Sequence, residues 1–186
     1  MSEWNKKRII MRRYDLTAHI YDMRYAEEQN AKIKAALKDL KIERQGLVLD
    51  AGCGTGLLFT DVADKTEGMV GLDISRKILF QAKERARNFQ NVHFILADAD
   101  NIPLKKETFS HVFGITLLQN MPYPVRTLNE IKRVAKDDAT FVVTGLKKAF
   151  TLRKFKGLLW DAGFKFVILK DEDLKCYVAV CTKLYH

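Results

Sequence analysis

The residues best suited to chemistry lie in one short stretch, LVLDAGCGTGLL, at positions 47–58. An apolar run ends at Asp50, and glycine then occupies every second position at Gly52, Gly54 and Gly56. Glycine adopts positive φ without strain and lets a ligand approach the backbone closely. The segment that follows has helical length, and a helix N-terminus offers unpaired N–H groups and the positive end of a dipole. The stretch therefore predicts a loop that holds a small ligand between a strand and a helix.

Two common glycine-rich loops are excluded by spacing. A dinucleotide loop reads G-x-G-x-x-G, but its third glycine would fall on Leu57 or Phe59. A phosphate loop requires Gly-Lys-Ser/Thr at its end, whereas Leu57 and Leu58 follow Gly56. The loop therefore belongs to another class of ligand site.

The elements that position this loop alternate between strand and helix patterns. Such alternation predicts a mostly parallel sheet with helices on both faces, a three-layer α/β sandwich. The last two strand patterns have no helix between them, which predicts a C-terminal antiparallel hairpin. The predicted strands are 47–50, 68–74, 92–98, 109–118, 139–146, 164–170 and 176–184, and the predicted helices are 26–43, 57–66, 75–89, 124–136 and 152–164. At 186 residues the chain is expected to form one domain, with an N-terminal helical cap at 1–40 and a core at 45–186.

Four segments in order carry a family resemblance. LVLDAGCGTG, GLDIS, LADADNIPL and the long segment from Phe109 to Gly145 resemble class I S-adenosylmethionine-dependent methyltransferases. The resemblance is closest to the small methyltransferase-domain type that includes quinone-biosynthesis enzymes. It implies a Rossmann-like fold with a seven-stranded sheet and S-adenosylmethionine as cofactor.

The resemblance also assigns cofactor-binding roles. Asp73, at the end of the second strand, would bind the ribose hydroxyls, and Asp98 would accept a hydrogen bond from the adenine amine, with the Ala99 backbone beside it. The N-terminal segment around Tyr21 resembles a helix that closes over the cofactor. The predicted cofactor-binding residues are Asp50, Gly52, Cys53, Gly54, Gly56, Asp73, Ile74, Asp98, Ala99, Thr116 and Tyr21.

The segment LLQNMPYP suggests an acceptor chemistry. Asn120, Pro122 and Tyr123 match three of four positions of the N-P-P-Y motif of amino-group methyltransferases. In that motif the Asn oxygen and a backbone carbonyl accept the protons of an exocyclic amine, and the aromatic ring stacks on the base. Asn120 and Tyr123 are therefore the predicted catalytic residues. The match lies about five residues later than in that family, so a chance match stays open, with Thr116 and Gln119 as alternative polar groups.

The cysteines and histidines exclude other chemistries. Pyrimidine C5 methylation uses a cysteine nucleophile, and no cysteine lies between Cys53 and Cys176. The four histidines are scattered, so no metal site is expected. The cysteine usage favours a reducing, cytoplasmic location, and no apolar run is long enough to predict a membrane span or a membrane partner.

The charge pattern suggests a polyanionic partner, although it also fits a merely solvated surface. The net charge is +9, and the connection after the fifth strand is too short to form a large lid. Aromatic residues at Trp4, Phe150 and Phe155 accompany the basic clusters. The basic rim expected to bind structured RNA, most simply ribosomal RNA, comprises Lys6, Lys7, Arg8, Arg12, Arg13, Lys147, Lys148, Arg153 and Lys154.

These observations rank three functions. The leading prediction is methylation of an exocyclic amine of a base in structured RNA, with cytidine N4 first. The alternative is a small-molecule methyltransferase of the quinone-biosynthesis type. A third is a module that binds the cofactor or RNA without turnover.

Overall fold

A single seven-stranded sheet organises the chain. The structure, a computed structural model, describes residues 2–38 and 40–184. The strand order is β3-β2-β1-β4-β5-β7-β6, with β7 antiparallel to both of its neighbours and the other described pairs parallel. The strands are β1 (Leu47–Ala51), β2 (Gly68–Asp73), β3 (Val92–Leu96), β4 (Phe109–Gly114), β5 (Ala135–Leu146), β6 (Phe164–Ile168) and β7 (Cys176–Lys183). The predicted mostly parallel sheet with its C-terminal antiparallel hairpin is confirmed.

Helices cover both faces of the sheet, so two hydrophobic cores form. The helices are α1 (Glu3–Thr17), α2 (Tyr21–Leu37), α3 (Phe59–Val62), α4 (Arg76–Arg85), α5 (Pro124–Val134) and α6 (Leu152–Asp161). Leu49 packs in one core with Leu128 of α5 and Phe155 of α6. Its neighbour Val48 packs in the other core with Ile33 of α2. This alternation is the two-residue period of a strand, and it confirms the three-layer sandwich.

Local signals set several helix boundaries as the sequence indicates. The Ser75 hydroxyl accepts a hydrogen bond from the Ile78 N–H at 3.2 Å, which makes Ser75 the N-cap of α4. Pro124 begins α5, where its missing N–H costs nothing. Thr151 caps α6 by accepting from the Lys154 N–H at 3.2 Å.

Two predicted elements differ from the structure. The helix expected at 57–66 is reduced to α3 and a 3₁₀ turn over Ala63–Lys65. A helix of one turn has little dipole, so the glycine loop rather than a helix N-terminus must hold a ligand there. Strand β5 begins at Ala135, four residues earlier than predicted. Ala135 pairs with Phe109 of β4, a bulge follows, and pairing resumes at Thr140 opposite His111.

The N-terminal cap consists of α1 and α2, joined by a 3₁₀ turn over Ala18–Ile20. The inward face of α1 carries Glu3, Lys7, Ile10 and Tyr14, spaced as one stripe of a helix. Met1, Asp39, Tyr185 and His186, which belong to the predicted domain 1–186, lie outside the described residues. In the described part of the chain, every helix is too short or too polar to span a bilayer.

Candidate cofactor site

A cavity of about 680 Å³, open to solvent, lies at the carboxyl ends of the central strands. Strand β1 sits between β2 and β4, so the loops that leave its two sides diverge and open a crevice at this edge. Helix α1 lies along the crevice and contributes Lys7, Ile10 and Tyr14 to its wall. A smaller cavity of about 360 Å³ adjoins it and shares Tyr21, Gly52, Gly54 and Ile115 as lining.

The predicted cofactor residues gather at these two cavities. The larger one is lined by Gly52, Gly54, Asp73, Ile74, Asp98, Ala99, Thr116 and Tyr21, and the smaller one adds Asp50 and Cys53. Gly56 lines neither cavity, because it faces the core, where an added Cβ would lie 2.3 Å from the Phe59 ring. The requirement at Gly56 is therefore close packing and a φ of 78°, not contact with a ligand.

The glycine loop turns sharply between the two cavities. Gly52 and Gly54 have φ values of 74° and 55°, a region that side chains rarely adopt. The N–H groups of Gly52 and Cys53 donate to the Leu72 carbonyl at 2.7 and 2.9 Å, which ties the loop to the end of β2. A Cβ at Gly54 would meet no atom within 4 Å, so this backbone is open to the cavities.

Asp73 is held by the backbone around it. Its two carboxylate oxygens accept hydrogen bonds from the Gly54 N–H at 3.0 Å and the Ser75 N–H at 2.9 Å. Burial raises the pKa of Asp73, and these N–H donors only partly offset that rise. A carboxylate has about four lone-pair sites, so each oxygen keeps a site for a ligand hydroxyl.

Asp98 belongs to a buried ion cluster that includes α1. The Lys7 ammonium donates to Asp98 Oδ2 at 2.7 Å and to Asp100 Oδ2 at 2.5 Å, and it lies 3.1 Å from Glu3 Oε1. Burial alone lowers the pKa of Lys7, but the three carboxylates outweigh it and hold the pKa above its ordinary value. Lys7 is therefore a charged member of the cavity wall.

Asp50 faces the smaller cavity without a protein partner. Its residue is 3% exposed, and among the described residues no hydrogen bond reaches its carboxylate. Burial, followed by the nearby Asp73 charge, raises the pKa of Asp50 to about 8. A ligand cation beside this buried acid would favour its ionised form, because the ion pair would offset the cost of burying the charge.

A polar network supports the wall behind the glycine loop. Thr116 has a φ of 60°, and its hydroxyl donates to Gln29 Oε1 at 2.8 Å. The Gln29 amide reaches the Tyr21 hydroxyl at 3.4 Å, and the buried Lys32 ammonium reaches Glu28 at 2.7 Å and Thr116 at 3.4 Å. These contacts anchor Thr116 to α2, the helix that also carries the wall residue Tyr21.

The two predicted catalytic residues have different surroundings. Asn120 lines the larger cavity, where its amide donates to the Tyr14 hydroxyl at 2.9 Å and to the Thr116 carbonyl at 3.0 Å. Its Oδ1 accepts from Arg13 at 3.3 Å. Tyr123 lies outside the cavity, is 58% exposed, and is the N-cap of α5, where its carbonyl accepts from the Arg126 N–H at 2.9 Å. Of the two, only Asn120 lines the larger cavity, and a shared catalytic role stays a prediction.

The backbone carbonyl of Thr116, which lies beside Asn120, already accepts hydrogen bonds within the protein. The Thr116 carbonyl accepts from the amides of both Gln119 and Asn120. Gln119 Oε1 is buried without a partner in the described chain, which leaves it as an available acceptor near the end of β4. The pairing of a free Asn oxygen with a free backbone carbonyl, which amine recognition requires, is not preformed.

The predicted basic rim needs correction at Lys7 and at two aromatic residues. Lys7 is 4% exposed, because it faces the carboxylates beneath α1. Phe150 and Phe155 are buried in the core beside α6, so neither forms an exposed stacking surface. Trp4 is exposed, and the remaining basic residues of the rim, Lys6, Arg8, Arg12, Arg13, Lys147, Lys148, Arg153 and Lys154, are exposed as expected.

Sequence reasoning missed Lys7, Ile10 and Asp100 as residues of the site. A signal for the first two was present, since Glu3, Lys7, Ile10 and Tyr14 follow the i, i+4, i+7, i+11 spacing of one helix face. That spacing marks an inward stripe, but the high density of basic residues around Lys7 suggested an outward one.

The residues present fit S-adenosylmethionine. The larger cavity is a concave cleft with mostly apolar lining and a few converging polar groups, which is typical of small-molecule sites. Asp73 offers acceptors to two ribose hydroxyls, Asp98 offers one to the adenine amine, and Ile74 and Ile78 supply an apolar surface for the ring. The partnerless carboxylate of Asp50 suits the ammonium of the methionine end. When bound, this cofactor supplies a methyl group on a sulfonium.

Comparisons with known proteins agree with this site. A family model described as a methyltransferase domain matches residues 42–164. The chain is 29% identical over 150 residues to malonyl-[acyl-carrier protein] O-methyltransferase of Marinomonas sp. (strain MWYL1), covering 80% of this chain and 55% of that protein. It is 28% identical over 165 residues to demethylmenaquinone methyltransferase of Staphylococcus aureus (strain JH9), covering 86% and 65% respectively. The chain thus spans about half to two thirds of the length of these curated relatives.

A solved structure shares the fold. A SAM-dependent methyltransferase from Aquifex aeolicus superposes with a TM-score of 0.72 at 20% identity, covering 80% of this chain and 88% of that one. The matched family model spans more than half of the chain and includes the glycine loop and both site acids, Asp73 and Asp98. The chain therefore belongs to the methyltransferase-domain family, and its fold is Rossmann-like.

Proposed function

We propose that the protein transfers the methyl group of S-adenosylmethionine to a small, largely apolar molecule, of the kind accepted by quinone-biosynthesis methyltransferases. The main support for this proposal is that the cavity lining not assigned to the cofactor is largely apolar. That part includes the apolar side chains of Ile10, Leu117 and Met121 and the ring of Tyr14, with Asn120 as a polar group among them. An apolar wall with few polar groups is typical of small-molecule sites.

The proposed reaction is a displacement. A nucleophilic atom of the acceptor forms a bond to the methyl carbon, the carbon–sulfur bond breaks, and its electron pair stays on sulfur as a neutral thioether. The protein contributes mainly position, since holding the two reactants in line removes much of the entropic barrier. The wall at Leu117 and Met121, beside the turn after β4, is suited to hold the acceptor against Ile115 at the junction of the two cavities.

The relatives support a small acceptor. The printed names of two of them specify a malonyl group on a carrier protein and a demethylmenaquinone, neither of which is a nucleic acid. Identities near 30% do not transfer a substrate, so the acceptor of this chain rests on its own cavity.

Label transfer tests the proposal. The purified protein would be incubated with methyl-labelled S-adenosylmethionine and separated fractions of lipids, polar small molecules, RNA and protein from cells lacking the gene. We expect label in an organic-soluble small molecule. Label confined to RNA or protein would overturn the small-molecule proposal.

A second candidate is methylation of an exocyclic amine of structured RNA, cytidine N4 first. The exposed cations of α1, Lys6, Arg8, Arg12 and Arg13, lie on the helix that walls the cavity, and Asn120 lines that cavity. Phosphate contacts would make RNA affinity fall steeply with salt. We would measure RNA binding and labelling at low and high salt. Salt-insensitive or absent RNA labelling would remove this candidate.

A further inference from the structure

We propose that Lys7 is a positioning residue of the cofactor site: its ammonium holds the Asp98 carboxylate in the orientation that receives the adenine amine. The proposal rests on the assignment of S-adenosylmethionine as cofactor and does not depend on the acceptor. The sequence suggested that Lys7 is part of an exposed basic surface, whereas the structure buries it among carboxylates.

Lys7 is the point at which three carboxylates meet. Its Nζ lies 2.7 Å from Asp98 Oδ2, 2.5 Å from Asp100 Oδ2 and 3.1 Å from Glu3 Oε1. The Lys7 side chain is 4% exposed, that of Asp98 16%, and that of Asp100 0%. Charges this deeply buried are sustained only when they are paired and hydrogen-bonded.

The other charged and polar partners of the cluster do not replace Lys7. Asp100 Oδ1 accepts from the Thr127 hydroxyl of α5, which is neutral. Arg126 of α5 lies 3.3 Å from Glu3, on the exposed side of the cluster. Without the Lys7 ammonium, Asp98 and Asp100 would be neighbouring carboxylates with no cation between them, and repulsion would turn the less buried Asp98 away.

The held orientation of Asp98 leaves acceptors available. Asp98 Oδ1 takes one hydrogen bond, from the Asp100 N–H at 3.0 Å, and Oδ2 takes one from Lys7. Each oxygen therefore keeps one further lone-pair site, and Asp98 lines the cavity. Both existing bonds restrict rotation of the carboxylate, so the free sites have a defined direction towards a ligand amine.

The consequence is a role in specificity as well as affinity. A fixed carboxylate accepts from an adenine amine and repels a carbonyl oxygen in the same place. A site built to bind an N–H rejects the analogue that lacks it far more strongly than an apolar pocket does. Lys7 should therefore contribute to the discrimination between adenine and hypoxanthine.

The test compares two ligands by isothermal titration calorimetry with the full chain. One is S-adenosylhomocysteine, and the other is S-inosylhomocysteine, in which a carbonyl replaces the amine. The variants are Lys7→Met, Lys7→Arg and the double variant Lys7→Met with Asp100→Asn. Lys34→Met removes an exposed lysine of α2 and is the matched control.

We expect Lys7→Met to weaken S-adenosylhomocysteine binding by about tenfold or more, and to reduce the preference over the inosine analogue by a similar factor. Lys7→Arg should restore most of the preference because it keeps the cation. The double variant should also restore it, because the repelling Asp100 charge is gone. The Lys34→Met protein should match the wild type within about twofold.

The preference between the two ligands separates positioning from stability. If Lys7→Met lowers both affinities equally and leaves their ratio unchanged, Lys7 is only a structural anchor of α1 and the proposal is wrong. If Lys7→Met does not fold, the double variant and Lys7→Arg decide, since a reduced preference in both would also contradict the proposal. Failure of the wild type to bind S-adenosylhomocysteine would instead overturn the cofactor assignment, and label transfer to RNA would leave this proposal intact.

Discussion

The amide of Asn120 donates a hydrogen bond to the hydroxyl of Tyr14 at 2.9 Å, which joins the turn after β4 to the middle of α1. The two residues are 106 positions apart in the chain, so this contact exists only after α1 has docked. The Asn120 side chain therefore connects the helix that covers the cofactor cavity to the strand end where an acceptor would be held.

Replacing Tyr14 by Phe should loosen α1. The hydrogen bond contributes about 1 kcal/mol, so amide hydrogen exchange over residues 3–17 should speed up by up to about tenfold. Tyr177→Phe, which changes a ring stacked on Phe155, is the control and should leave this exchange unaltered. If Tyr14→Phe and the wild type exchange at equal rates, this hydrogen bond does not hold α1 against the turn after β4.

The same pair separates two roles of Asn120. If Asn120 acts on the acceptor amine, Asn120→Ala should lower kcat strongly while Tyr14→Phe leaves it nearly unchanged. If Asn120 mainly holds α1 in place, both variants should raise the KM for S-adenosylmethionine by similar, modest factors. Steady-state kinetics with the labelled cofactor distinguish these results.

Replacing Asp73 by Asn should reduce cofactor affinity. Hydrogen bonds to a charged group are worth about 1.5 to 3 kcal/mol, so we expect the Kd for S-adenosylhomocysteine to rise by roughly tenfold to a hundredfold. Asp64→Asn, at an exposed position in the 3₁₀ turn after α3, is the control. Because Asp73 also accepts from the Gly54 N–H, the melting temperature of both variants should be measured. Unchanged affinity in a folded Asp73→Asn protein would remove this acid from the site.

Replacing Asp50 by Asn should stabilise the ligand-free protein, and more so at high pH. Burial raises the pKa of Asp50 to about 8 in the folded state, whereas the pKa of this carboxyl in the unfolded chain is about 4. Between these values the folded state binds more protons than the unfolded state, so stability falls as pH rises through this window. The neutral amide removes that loss.

Thermal unfolding of ligand-free Asp50→Asn at pH 5 and pH 8.5 checks this expectation. We expect a gain in Tm of about 3 °C or more at pH 8.5 and a smaller gain at pH 5. Asp138→Asn, at an exposed position in β5, should show no such pH dependence. Cofactor affinity should nevertheless fall in Asp50→Asn if its carboxylate meets the ligand ammonium. If the gain in Tm of Asp50→Asn over the wild type is the same at pH 5 and pH 8.5, Asp50 is not a buried, unpaired acid.

The three cysteines should be unreactive in the folded protein. Burial raises the pKa of Cys181 to about 12, and burial is the main cause that raises the pKa of Cys176 to about 11. Burial also raises the pKa of Cys53 well above its ordinary value. An Ellman's reagent assay at pH 8 should detect almost no thiol until guanidinium unfolds the chain, since the thiolate is the reactive form. Rapid modification of a native thiol would contradict this.

Local sequence patterns predicted the strands of the sheet, most of its helices and the position of the glycine loop. These features depend on local periodicity and on backbone constraints, such as the positive φ values at Gly52 and Gly54, which are written in short segments. Because the carboxyl ends of parallel strands meet at one edge, Asp50, Asp73 and Asp98 could be placed together from their positions alone.

The side chains of α1 and of the turn after β4 that face the cavity could be identified only from the folded structure. Lys7 turns inward because Asp98 and Asp100, more than ninety residues away, supply its partners, while charge alone suggested an exposed position. Tyr123, the N-cap of α5, is 58% exposed, although its spacing from Asn120 suggested a shared site. Contacts between distant segments depend on how the helices dock, and the residue types within each segment do not specify them.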